Sequence, residues 1–303
     1  MDRRRFISLV SAGIAAAPFI KTLPKTSHNY ANPNTPFDLV AVRGGEATAM
    51  FDEGIKSLGG ISSFVKRGQR VVVKPNIGWD VVPERAANTN PALVGRIIQH
   101  CINAGAKEVV VFDNTCDNWI RCYKNSGIEK AVKESGGKIA PGNTESYYQS
   151  VSVPGGKRLT SAKVHELILE SDVFINVPVL KNHGSAKLTI CMKNLMGIVW
   201  DRGYWHRNNL HQCIADFSAF RKPDLNIVDA YNVMKQNGPR GVDEEDVILM
   251  KAMIISTDMV AADTAAAKLL DFEPKDVSYI KIAGETGIGR TDLQNLKINR
   301  IKI

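Results

Sequence analysis

The sequence contains no Cys-x-x-Cys pair. Its five cysteines, at positions 101, 116, 122, 191 and 213, are odd in number and match no zinc or iron–sulfur spacing. Aromatic residues are 7% of the chain, and no long basic run follows the first few residues, so nucleic-acid binding is disfavoured. There is no P-loop, no Gly-x-Ser-x-Gly elbow and no recognisable nucleophile–base–acid order. There is also no internal repeat or low-complexity tract, which excludes solenoids and propellers. The one glycine-rich string, GETGIG at 284–289, does not follow a buried strand. It therefore fails the context of a dinucleotide fingerprint and reads as a helix end with a turn.

What is present is ordinary in bulk. The 303 residues are 44% hydrophobic and 23% charged, enough for a large core in one domain or two smaller ones. Formal net charge is +8, from 39 basic and 31 acidic residues. Five basic residues against one acidic one in the first 25 account for +4 of it, leaving +4 for the rest. A modest, localised positive charge suits a small anionic ligand. The start, Asp2-Arg3-Arg4-Arg5-Phe6-Ile7-Ser8, resembles a twin-arginine export signal: two arginines, any residue, Phe and an apolar residue. The uncharged segment 6–20 that follows is short and rich in Ala, Gly and Ser, a poor membrane span. Residues 1–33 are thus expected to be signal and linker, and 34–303 a single α/β domain. The expected partner is the twin-arginine translocase, and the expected location is the periplasm or the periplasmic side of the membrane. In such an oxidising compartment Cys116 and Cys122 form either a disulfide or two free thiols.

From residue 38 the pattern alternates strand and helix. Apolar strands are predicted at 38–43, 69–74, 108–112, 173–179, 224–228 and 247–256, with an edge strand at 296–303. Helices are predicted at 47–58, from Asn90-Pro91 onward, around 128–133, at 164–169, 210–220, 259–270 and 277–283. The polar stretch 138–160, with a Pro154-Gly155-Gly156 turn, reads as a hairpin insertion. Repeated βα order predicts a mostly parallel sheet with helices on both faces. The antiparallel parts are expected in the 138–160 insertion and at the C-terminal edge.

Four of the predicted strands stop at polar or ionisable residues: Lys74 with Asn76, Asp113 with Asn114, Asn176 with Lys181 and His183, and Asp229. In a parallel sheet these ends share one edge, where ligands bind. Lys74, directly after RVVV, would be partly desolvated, which lowers an ammonium pKa and makes a base or nucleophile. His183 is a candidate acid/base group, and Asp113 would orient it. Lys181, Lys193 and Arg240 would hold an anion, with Asn76 and Asn194 as polar contacts. His211, Asp216 and Asp229 form a candidate N/O ligand set for a divalent metal, though their spacing matches no strong metal motif.

Nine stretches carry a family resemblance: VVVKPNIGWD, NTNP, EVVVFDNT, SDVFINVPVLKNH, CMKNLMGIV, LHQCIADFSAF, KPDLNIVDA, NGPRG and STDMVAADTAAAKLL. Together, over residues 36–290, they resemble the domain-of-unknown-function family 362. The resemblance implies that Lys74, Asn76, Asp113, Lys181, His183, Lys193, Asn194, His211, Asp216, Asp229, Arg240 and Asp263 are the family's recurrent polar positions. Many relatives carry ferredoxin-like cysteine clusters, which this chain does not. More loosely, the family is similar to lactate-racemase-like proteins that carry a nickel-pincer cofactor. Three readings follow. The first is an exported enzyme acting on a small anion, metal-free or assisted by a metal or cofactor. The second is a non-catalytic binder of an anion or cofactor. The third is a redox accessory protein.

Overall fold

The computed structural model describes residues 35–303. The export signal expected at the N-terminus lies outside them. In chain order the strands are β1 (Leu39–Arg43), β2 (Arg70–Pro75), β3 (Glu108–Val111), β4 (Lys138–Ile139), β5 (Tyr148–Ser152), β6 (Ser161–His165), β7 (Val173–Val177), β8 (Val179–His183), β9 (Lys187–Thr189), β10 (Leu225–Met234), β11 (Val247–Ser256) and β12 (Ile298–Lys302). Ten of them make one sheet, ordered β12-β1-β11-β10-β7-β2-β3-β4, with β8 beside β10 and β9 beside β8. β11 and the short β9 run against their neighbours; the other pairings are parallel. β5 and β6 form a separate antiparallel hairpin. The fold is the mostly parallel α/β sheet that the sequence predicts, with its small antiparallel insertion.

Strand alternation sorts the core into two layers. Val71, Val73, Ile175 and Val177 face one layer, with Phe51 and Ile55 of helix Ala47–Ser57 and Leu93, Ile97 and Ile98 of helix Pro91–Asn103. Val72 and Phe174 face the other, with Ile214 and Phe217 of helix Leu210–Ser218, Ala266 of helix Met259–Leu269 and Tyr279 of helix Ser278–Glu285. The Asn90 side chain accepts from the amides of Ala92 and Leu93 and starts its helix, with Pro91 in the first turn.

Pro178, with no N–H to donate, interrupts the run 173–179, as its sequence implies, and divides it into β7 and β8. Lys181, Asn182 and His183 therefore sit on a strand of their own. Two expectations need correction. β10 does not stop at Asp229 but runs on to Met234 through a register shift between Ala230 and Asn232. The C-terminal edge strand β12 lies parallel to β1, and the reversed strand at that end is β11.

The β10 irregularity has a local cause. The Asp229 carboxylate is buried, yet its two oxygens accept from the amides of Asn90 (2.7 Å) and Tyr231 (3.1 Å). It pins the start of helix Pro91–Asn103 to the middle of the sheet. Burial raises its pKa to about 6. Asp229→Ala leaves two buried donors without an acceptor, and unsatisfied groups of this kind cost about 1–3 kcal/mol each. We expect a loss of about 2–4 kcal/mol in urea unfolding; an unchanged midpoint and slope would refute this structural role.

Candidate functional site

The site grows from a row of polar side chains across the sheet. Lys74 on β2 is in register with Asn176 on β7, which is in register with Asn226 on β10. They alternate with Val73 and Ile175, so they share the face that helix Cys191–Asn194 covers. Asn176 Nδ2 donates to Asn226 Oδ1 at 3.0 Å and to the Cys191 carbonyl at 3.1 Å. Asn194 closes the network. Its Oδ1 accepts from Lys74 Nζ (2.9 Å) and Asn76 Nδ2 (3.1 Å), while its Nδ2 donates to Asn176 Oδ1 (2.9 Å) and the Lys74 carbonyl (3.3 Å). The helix that presents Asn194 starts on Asp263, whose carboxylate accepts from the amides of Cys191 and Met192. Burial raises the Asp263 pKa to about 7.

Lys74 has no solvent exposure. Its ammonium donates to the Pro75 carbonyl (2.7 Å) and Asn194 Oδ1 (2.9 Å), and forms an ion pair with Asp113 Oδ1 at 2.9 Å that lacks hydrogen-bond geometry. The other Asp113 oxygen accepts from the Ile77 amide at 2.7 Å. Burial pulls the Lys74 pKa down, and the Asp113 charge acts against that pull. Fully buried beside it, Lys74 is the counter-ion of Asp113. Gly197 makes room for the pair: a Cβ there would sit 1.8 Å from Asp113 Oδ1 and 2.7 Å from Lys74 Nζ.

Above this pair lies a cavity of about 500 Å³. Its walls include Lys74, Asn76, Asp113, Lys181, His183, Lys193 and Asn194, seven of the eight residues that the sequence proposes for catalysis and substrate binding. Lys181, 1% exposed, donates to Asn76 Oδ1 (3.0 Å) and closely to the Ala87 carbonyl. Two acceptors leave one of its three N–H groups without a protein partner. Lys193 is partly buried and has no hydrogen bond or ion pair among the described residues. Burial lowers Lys181 to about 7 and Lys193 to about 8. His183 Nδ1 accepts from the amides of Ser185 and Ala186, both at 3.3 Å, so its proton sits on Nε2. Burial first, then the charges of Lys193 and Lys181, push His183 down to about 3, so it is neutral and a donor at Nε2.

The remaining candidates do not join this group. Arg240 is 56% exposed and lies 3.8 Å from Asp117 Oδ2, outside the cavity lining; its neighbour Pro239 takes that place. The metal candidates are not brought together. Asp216 accepts from the amides of Arg158 and Leu159 and from Gln212, anchoring the hairpin region. Asp229 is held within β10, and His211 stacks on Tyr279. Among the described residues no three His, Cys, Asp or Glu side chains cluster as metal ligands. Cys116 and Cys122 are unbridged: one is exposed and the other buried.

Sequence reasoning missed Arg202, Cys116 and Thr189, all of which line the cavity. Arg202 Nη2 donates to the Thr115 carbonyl at 2.7 Å, which turns its charge inward. Thr189 Oγ1 is buried without a partner. A basic residue in the polar stretch after the apolar run 195–200 was the available signal for Arg202; a threonine inside an apolar run offers none.

The family model for a domain of unknown function (DUF362) matches residues 71–268, well over half of the chain. The chain belongs to the DUF362 family. It is 26% identical over 256 residues to the thylakoid-associated protein sll1697 of Synechocystis, covering 78% of this chain and 74% of that one. Among solved structures, the lactate racemase apoprotein of Thermoanaerobacterium thermosaccharolyticum aligns with a TM-score of 0.48 at 11% identity. A structural-genomics target from Thermotoga maritima aligns with the same score at 12% identity. These alignments cover 82% and 78% of this DUF362 chain, but only 60% and 59% of the solved ones.

Removing one member of a buried ion pair strands the other charge, at a typical cost of about 3–5 kcal/mol. We expect Lys74→Met and Asp113→Leu each to lower stability by about that amount. The double variant should lose clearly less than the sum, read by a denaturation double-mutant cycle. Additive losses would show that the pair is not coupled.

Proposed function

We propose that this protein is an enzyme acting on a small anion, a carboxylate or phosphate, in the cavity at the strand ends. One observation carries the reading. Among the described residues, four polar groups without full protein partners line one cavity: the Lys193 ammonium, one N–H of Lys181, Nε2–H of His183 and the Thr189 hydroxyl. Buried polar groups are nearly always satisfied, so the buried Thr189 hydroxyl left open beside these donors asks for a ligand with an acceptor. Charge sets the ligand's sign. Lys181, Lys193 and Arg202 add three cations, whereas Asp113 is neutralised by Lys74 and Asp201 is an exposed residue at the rim.

In this reading Lys193 and Arg202 hold the anion, and His183 Nε2–H with Thr189 fixes its orientation. Lys181, with a pKa of about 7, moves the proton, because an acid/base group works best near the ambient pH. Lys74, Asn76, Asp113 and Asn194 are positioning residues that hold this arrangement. The start Arg3-Arg4-Arg5-Phe6 supports export through the twin-arginine translocase to the periplasm or its membrane face. Among the described residues no helix is long and apolar enough to cross a membrane.

Inorganic phosphate and small carboxylates, titrated calorimetrically, test the site. Raising the pH removes charge from Lys181 at about 7 and from Lys193 at about 8, so affinity should fall across pH 7–9. By linkage, binding in that window should take up protons, visible as a dependence of the heat on the buffer. Lys193→Met should weaken binding about tenfold or more, the size of a lost charged hydrogen bond. A flat pH profile would reject the lysine assignment. Turnover is read separately, by proton NMR of a panel of carboxylates and phosphate esters in D₂O. Lys181→Met should abolish turnover, whereas Lys193→Met should mainly raise KM. Binding without any turnover would replace the enzyme by a non-catalytic anion carrier.

A further inference from the structure

Cys116 lies in the same cavity, and the roles above do not use it. Five residues after β3, its amide donates to the Gly78 carbonyl at 2.8 Å, which fixes the backbone at the cavity wall. Its sulfur is 3.4 Å from Arg202 Nη1, and the other end of that guanidinium is tied to the Thr115 carbonyl. Sulfur and guanidinium are thus held together rather than meeting by chance. Cys116 is exposed, whereas Cys101, Cys122, Cys191 and Cys213 are all buried. Two further groups point to a ligand beside the thiol. Thr189 (3% exposed) and His183 (8% exposed) line the same cavity; Thr189 Oγ1 is buried without a partner, and among the described residues His183 makes its hydrogen bonds through Nδ1 and none through Nε2.

A nucleophile, a row of anion-holding cations and a proton-moving lysine in one cavity make a particular combination. The cations recognise a carboxylate or phosphate, and the thiol then faces whatever carbon that anion carries. We propose that Cys116 is a covalent nucleophile toward the carbonyl carbon of a small anionic aldehyde or ketone bound in this cavity. The proposal rests on the anion-site reading above and names its substrate class. In the step, S–H adds across C=O. A C–S bond forms, the carbonyl π pair moves to oxygen, and the thiol proton passes through the Lys181 amine to that oxygen. No other reactant is needed, and the reverse step restores the thiol.

Alkylation of the full-length protein tests this with iodoacetate and iodoacetamide, which differ in charge but not in the bond made. Each forms a C–S bond and releases iodide. Open thiols react faster with the neutral reagent. Here peptide mass spectrometry should find the label at Cys116 alone, with iodoacetate at least about tenfold faster than iodoacetamide, as a cationic cavity concentrates an anion. Inorganic phosphate should slow the labelling, and Arg202→Gln or Lys193→Met should remove the preference. Cys116→Ser should remove the label. Faster reaction with iodoacetamide, labelling spread over other cysteines, or no protection by phosphate would overturn the proposal. Calorimetry separates the two ideas: phosphate or a small carboxylate that binds without any iodoacetate preference removes Cys116 and leaves the anion site standing, whereas binding of neither removes both.

Discussion

A lysine and an aspartate almost sealed from water, 2.9 Å apart, set the terms for everything around them. Two charges in such a place are tolerable only when paired and ringed by hydrogen bonds. That requirement explains several otherwise odd residues. Asn194 must reach back to Lys74, so its short helix must start where Asp263 can cap it. The turn beneath must carry Gly197, because any side chain would collide with the pair. Asn176 and Asn226 extend the network across two more strands and form a polar seam inside an apolar layer.

On top of that seam the chemistry changes character. The lower groups pair with one another; Lys181 is only partly satisfied, and Lys193 has no hydrogen bond or ion pair among the described residues. The gradient from closed to open hydrogen bonding, read upward from Lys74, separates scaffold from site more sharply than charge or burial alone. Lys74 and Lys181 are both lysines almost sealed from water, yet among the described residues only Lys74 has a carboxylate counter-ion.

Much of this was legible because strand ends are legible. Lys74, Asn76 and Asp113 follow unbroken valine runs, and a parallel sheet gathers such ends on one edge. The edge itself was visible; which residues stand free on it was not. Asp229 looked like another strand end because a charged residue interrupts the apolar run there, but the strand continues through a register shift to the buried Val233 and Met234. Asp216 and His211 share a helix, and periodicity could not show that Asp216 caps amides 57 and 58 residues earlier. Arg202 and Cys116 meet across 86 positions, a contact that only the tertiary fold creates.

The break at Pro178 has a mechanical side. β2 pairs with β7 as far as Pro75 and Val177, after which the chain moves on as β8 and pairs with β10. β2 and β8 are not partners, so the sheet forks at that point and the cavity is the notch of the fork. The reach of Lys181 to Asn76 and Ala87 spans the notch as side-chain contacts rather than ladder bonds. A notch gauged by side chains can be widened or narrowed one substitution at a time while the sheet below stays zipped. The same framework can thereby accept molecules of different girth without any change to its core.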